Sequence, residues 1–198
     1  MSAVLLTRLK ISDLTALTAL DAARGLLPEG IAIARIVREE LYLFEPEPGA
    51  AAAAFEAPLA NAIESSNFFV NPNKERYRFL RAAERGDSLE PPDGAWGILA
   101  RPRGETRDEG LLVRLGREHP LAGLGAIRRA RLWWLWTKGP GGDPAARSSY
   151  EALGPVSGTR RGLLVNPHAE ASLTIERAVP WRELEAFLAD PAPAYRAA

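Results

Sequence analysis

The stretch FFVNPNKERYRFL, residues 68–80, decides the reading of this chain, because it occurs a second time, altered, as LLVNPHAEASLTI at residues 163–175. Both run apolar, apolar, Val, Asn, Pro, two variable residues, Glu. From Asn71 to Asn166 the offset is 95 residues, close to half of the 198-residue chain. An Asn-Pro pair alone is a common turn signal and would carry little weight. The segments upstream correspond as well. RIVREELYLF at residues 35–44 matches IRRARLWWLW at 127–136, each with a charged first half and a bulky apolar second half. LLTRLK at 5–10 matches ILARPR at 98–103, and Asp13 and Asp108 then each open a segment of helical character. Four landmarks in the same order indicate an internal repeat.

Each copy reads strand, helix, strand, helix, strand. In the first, residues 3–12 form a strand and Asp13 caps a helix by accepting from its free amides. Leu14, Leu17 and Leu20 share one face of that helix, which Pro28-Glu29-Gly30 ends. A strand over 33–45, a helix over 51–64 and a strand over 68–80, interrupted by Pro72, complete the unit. Residues 81–95 are polar and hold Pro91, Pro92 and Gly94, so they read as a linker. The second copy has strands at 96–103 and 127–137, a helix at 108–118, a loop at 139–143, a short helix at 144–153 and a closing segment at 162–176. A last helix over 180–188 starts on proline and presents Trp181, Leu184 and Leu188 on one face, either for a partner or for the chain's own core. The tail 190–198 is expected to fray.

The expected fold is therefore α+β: two tandem small α/β sandwich units forming a pseudo-dimer. Residues 1–80 and 96–176 are the units, 81–95 the linker, and 177–198 the C-terminal helix and tail. A three-stranded sheet alone leaves an exposed edge and a poorly covered apolar face, which pairing relieves. One detail resists simple duplication. Tyr77 and Phe79 alternate with Arg76 and Arg78, whereas Leu173 and Ile175 alternate with Ser172 and Thr174, out of phase at an offset of 95. A strand keeps its apolar side chains inward, so this predicts a bulge after one proline or a local offset of 96.

Composition excludes several classes. Lys plus Arg and Asp plus Glu number 25 each, so the basic excess of a nucleic-acid binder is missing. There is no cysteine, hence no disulfide, thiolate metal site or cysteine nucleophile. No apolar run is long enough for a signal peptide or a membrane span, and a cytoplasmic location is expected. His119 precedes a proline at a helix end and His168 lies in a turn, and neither has metal-ligand spacing around it. Gly123–Gly125 leads into a strand, and Pro140 removes an amide from the 139–142 loop, so neither is a phosphate cradle. Ser65-Ser66 and Ser148-Ser149 lack an activating histidine. Glu39 and Glu40 point to opposite faces of a strand. Arg128, Arg129 and Arg131 near Trp133, Trp134 and Trp136 could bind a nucleic-acid strand. With no net positive charge, a seam between units buried on both sides suits them better.

The pattern Leu163-Leu164-Val165-Asn166-Pro167-x-x-Glu170 resembles the C-terminal signature of the small PurS subunit of phosphoribosylformylglycinamidine synthase. Asn71-Pro72-x-x-Glu75 is a second, weaker copy, and Val37-Arg38 before Leu41-Tyr42-Leu43-Phe44 is similar to the family's middle strand. Glu39-Glu40 replace the family's Gly-Lys, and the second unit lacks Val-Arg. The resemblance spans about 75 residues in each unit, in order and spacing more than identity. It implies an accessory subunit that is not an enzyme on its own and carries no cofactor. Its partners would be the synthetase and the glutaminase of an ATP- and glutamine-dependent amidine-forming complex of purine biosynthesis. It would pair within the chain, with further self-association open, and with no nucleic acid or membrane. The alternative is a small-molecule-binding regulatory module with its ligand between two α/β units. A third option is a small enzyme whose site forms only between the units.

Overall fold

The computed structural model describes residues 1–27, 32–104, 107–138, 153, 163–166 and 168–190. In chain order it contains β1 (Ala3–Leu9), α1 (Leu14–Leu26), β2 (Ile33–Pro46), α2 (Ala53–Ser65), β3 (Glu75–Leu80), β4 (Ser88–Leu89), β5 (Ala95–Pro102), α3 (Glu109–Glu118), β6 (Leu124–Thr137), β7 (Glu170–Ile175), β8 (Val179–Pro180) and α4 (Trp181–Ala189). The fold is α+β. Six antiparallel strands form one sheet in the order β3-β1-β2-β6-β5-β7, and β4 pairs with β8 in a small second sheet.

The two 14-residue strands β2 and β6 lie side by side at the centre, from Ile33 opposite Thr137 to Pro46 opposite Leu124. Their bulky runs, Leu41–Phe44 and Leu132–Leu135, are buried throughout, which requires cover on both faces. On one face, Ala3, Leu5, Tyr42, Phe44 and Ile127 pack under α2 and α3. Ile36, Ile98, Trp133 and Leu135 pack there under Ala16 and Ala23 of α1. On the other face, Leu6, Leu41, Leu99, Leu132 and Trp134 pack under Trp181, Leu184 and Leu188 of α4. So α4 spends its apolar side on the chain's own core and does not present it to a partner.

Several expectations are corrected. Leu14 and Leu17 do not face the sheet: Leu14 is 76% exposed, and the buried side of α1 is Ala16 and Ala23. Small residues let the helix lie close to the strands, and Leu14 and Leu17 are left outside while Leu20 packs partly on the core. The strand expected from residue 68 begins only at Glu75, because residues 68–74 turn around Pro72. The strand expected over 162–176 is likewise β7 alone among the described residues. The presumed linker is part of the body: Leu89 is buried, and Arg85 pairs with Glu185 of α4 at 2.8 Å. The helix stop at 28–30, the loop at 139–143, the helix at 144–153 apart from Leu153, and the tail beyond Asp190 lie outside the described residues.

The phase conflict between the third strands has an unexpected solution. β3 pairs Glu75 with Leu9, β7 pairs Glu170 with Pro102, and neither ladder shifts register. No bulge intervenes, and the offset of 95 holds through both strands. The apolar side chains do face opposite sides of the sheet. Phe79 joins the core under α2, whereas Leu173 and Ile175 join the core under α4. What covers each edge sets the alternation, so a one-residue change of phase marks a change of cover, not of register.

Trp134 shows how tightly the centre is packed. It is 2% exposed, and its Nε1 donates to Glu39 Oε2 at 2.9 Å. A Cβ at Gly97, opposite it on β5, would lie 2.6 Å from the indole and 3.0 Å from the Ile175 Cβ. Trp134→Ala is expected to cost about 3–5 kcal/mol, and Gly97→Ala about 1–3 kcal/mol by overpacking. In urea unfolding the double variant should fall short of the sum, because the added methyl enters space the indole has left.

Candidate functional site

The two Asn-Pro segments build the same turn. The Asn71 side chain accepts from Asn73 N at 3.1 Å, and the Asn166 side chain from His168 N at 3.1 Å. The Asn71 carbonyl accepts from Glu75 N, and the Asn166 carbonyl from Glu170 N, each at 2.7 Å. The glutamate closes the loop in reverse: Asn71 N donates to Glu75 Oε2 at 2.7 Å, and Asn166 N to Glu170 Oε2 at 2.8 Å. Asparagine supports such a side-chain turn. In the first turn Pro72 fixes the backbone and needs no amide partner, and in both turns the returning carboxylate satisfies the asparagine amide. Asn71, Pro72, Glu75, Asn166 and Glu170 thus launch β3 and β7, while Pro167 lies outside the described residues.

The helix caps are duplicated in the same way. One carboxylate oxygen of Asp13 accepts from Thr15 N and Ala16 N, and the other holds Arg38 Nε at 2.9 Å. One oxygen of Asp108 accepts from Leu111 N, and the other faces Arg129 at 3.5 Å. Each cap therefore ties a helix N-terminus to an arginine on a central strand. Arg129 plays the part of Arg38, although no Val-Arg pair marks it in the sequence. Val37, the other motif position on β2, turns to the opposite face and packs under α4.

Between these ties, Glu40 and Arg131 are direct partners in the β2·β6 ladder, with Nε to Oε1 at 3.9 Å. Arg131 also reaches Glu170 at 3.5 Å, which joins one Asn-turn to the centre. Burial raises the Glu40 carboxyl above its ordinary range, against the pull of Arg131, Arg38 and Arg129. Composition places the arginine cluster 128–131 near the seam. Only the fold shows that each arginine has its own carboxylate: Arg128 on Glu45 at 2.8 Å, Arg129 on Asp108, and Arg131 between two.

A cavity of about 840 Å³ opens beside this cluster, between α1 and a wall of Leu163–Asn166, His168 and Glu170. Its walls include Ala19, Arg131, Trp133, Leu164, Asn166 and Glu170. Trp133 is 3% exposed, and its Nε1 has no hydrogen-bond partner among the described residues. On α3, Arg114 lies over Phe68 at 4.9 Å; the position 95 residues earlier is Ala19, a side chain too short to fill the space. Of the two histidines, His119 ends α3 as its C-cap. Glu39 and Glu40 do face opposite sides, one on Trp134 and the other on Arg131.

No family model, curated protein or solved structure matches the chain. Among the described residues, no helix is long and apolar enough to cross a membrane. No three His, Cys, Asp or Glu side chains among them gather as a metal site would need.

A raised carboxyl in the folded state favours its protonated form. The stability this contributes is complete below the ordinary value of 4.5 and is lost as pH rises through the folded value. Glu40→Gln cannot ionise and escapes that loss. The melting temperature of the variant, measured against wild type, should therefore gain between pH 4 and pH 7.

Proposed function

We propose that the chain is a tandem pair of PurS-like units forming a pseudo-dimer. It would serve in the cytoplasm as the accessory subunit that bridges the synthetase and glutaminase of phosphoribosylformylglycinamidine synthase. The observation that carries this reading is the pair of Asn-turns, whose matching hydrogen bonds rest on the residues that make up the PurS-like signature. Three further features support it. The sheet reads third, first, second strand from either edge to the middle. The Asp–Arg cap ties recur on both central strands. The motif residues are engaged in turns and ion pairs, as suits a part that organises a complex and leaves turnover to its partners.

Joining two units in one chain makes their contact intramolecular. Each half then needs to fit only one neighbour, which frees the two to diverge. One chain should accordingly replace two small subunits. Native mass spectrometry of a complex reconstituted with the synthetase and glutaminase, in the presence of glutamine and ADP–Mg, is expected to show one copy per synthetase. Two copies would mean that the fusion does not stand in for the dimer. Failure to associate with either enzyme would remove the accessory role.

A second reading, a regulatory module with a small ligand between two α/β units, is favoured by the cavity beside Trp133. Its volume lies within the range of small-molecule sites. It combines apolar walls with a buried indole donor in want of an acceptor. Under this reading, a ligand found by thermal-shift screening should lose its stabilising effect in Ala19→Arg, which puts on α1 the side chain that α3 already carries.

A further inference from the structure

We propose that the sheet face left open by α4 holds a binding site for a small phosphorylated molecule. The inference stands apart from the functional reading above, since it uses none of the Asn-turn residues. A cavity of about 440 Å³ lies over β3, β1, β2 and β6, with Pro92 among its walls. Four arginines line it: Arg8 on β1, Arg35 on β2, and Arg76 and Arg78 on β3. None of the four has a carboxylate within 4.0 Å among the described residues. Of the other arginines on the six-stranded sheet, all but the buried Arg101 differ. Arg38, Arg128, Arg129 and Arg131 each sit against an acid. Acids and bases are equal in number, so the unpaired cations are a matter of placement, not of a general excess.

The placement is unfavourable for an empty sheet. Arg8 and Arg76 are direct partners in the β1·β3 ladder. Like charges in that position repel. A bound anion with two or more negative charges removes the repulsion and engages several guanidinium forks at once. The surroundings add a flat surface. Arg35 lies over the Trp136 ring at 4.4 Å, and the ring is anchored through Nε1 to Asp93 O at 3.0 Å. An aromatic ring beside stacked arginine suits a heterocycle. In the floor, Glu39 accepts from Trp134 and keeps a second oxygen for a donor on a ligand. Anion, ring and donor together describe a mononucleotide better than a bare phosphate.

The opposite end of the same face shows what this end could have been. There Arg101 is 1% exposed beneath Phe187 of α4 at 4.9 Å, and β7 carries Ala171 and Leu173. That end is apolar and covered, whereas Arg76 and Arg78 are exposed.

The test is calorimetric titration of the full chain with ADP, pyrophosphate and a single-stranded oligonucleotide. Arg76→Gln/Arg78→Gln and Arg35→Gln serve as variants. Arg76 and Arg78 are exposed on an edge strand, so the double variant should melt no lower than wild type. The expected result is that ADP and pyrophosphate bind, ADP more tightly, with each weakened at least about tenfold by the double variant and by added salt. Arg35→Gln should weaken ADP more than pyrophosphate. The proposal is overturned if neither binds below about 1 mM, or if binding survives the double variant unchanged. An oligonucleotide that binds where ADP does not would overturn it in favour of a nucleic-acid strand.

Discussion

Everything else in this fold depends on the ladder between β2 and β6. It is the longest pairing in the sheet, and it alone joins the three strands on one side to the three on the other. Its register places Glu40 opposite Arg131, Arg38 opposite Trp133, and Tyr42 opposite Arg129. A slip of one residue would carry all of these to the other face. Asp13 and Asp108 would lose their arginines, and Trp134 would leave the pocket that Gly97 keeps open. The helices are tied to the same ladder, since each N-cap carboxylate spends its second oxygen on an arginine of a central strand. Strand pairing, helix placement and the polar cluster at the centre are one constraint seen three ways.

The two ends of the sheet are treated differently. At the β7 end, α4 and the β4·β8 pair cover the face, the edge strand turns its apolar residues toward them, and an arginine is buried under Phe187. At the β3 end the same face is uncovered and carries arginines in their place. The edge strands keep equivalent pairing while their side-chain patterns invert.

The Asn-Pro-x-x-Glu signature takes its meaning from hydrogen bonding. Its asparagine and glutamate satisfy the amides of a tight turn and start a strand at the sheet's edge. In the second copy Glu170 also meets Arg131 beside the large cavity. The second copy also borders the cavity beside Trp133 through Asn166 and Glu170, whereas the arginines of the open face lie apart from both copies.

Much of the architecture was legible in the residues. The caps Asp13 and Asp108, the burial of Trp133 and Trp134 and the opposite facing of Glu39 and Glu40 follow from local pattern, because periodicity and capping are local physics, whereas Trp136, expected in the same buried seam, is only half-buried. What the residues left undecided needed distant partners. Leu14, Leu17 and Leu20 form a helical stripe as good as any, yet the helix buries Ala16 and Ala23 against the sheet, and of the stripe only Leu20 packs on that core. Arg129 could not be matched to Arg38 without the ladder, for their neighbours differ. The inverted alternation of β3 and β7 looked like an insertion, because a chain read by itself does not reveal what will cover each face. By itself the sequence marked most of the elements, among them α1, α2, α3, β2, β5 and β6, but neither β4 nor β8. Only the tertiary structure decided which face of each is buried and which arginines go unpaired, because those depend on neighbours as far as 183 residues away, as Ser2 and Glu185 are.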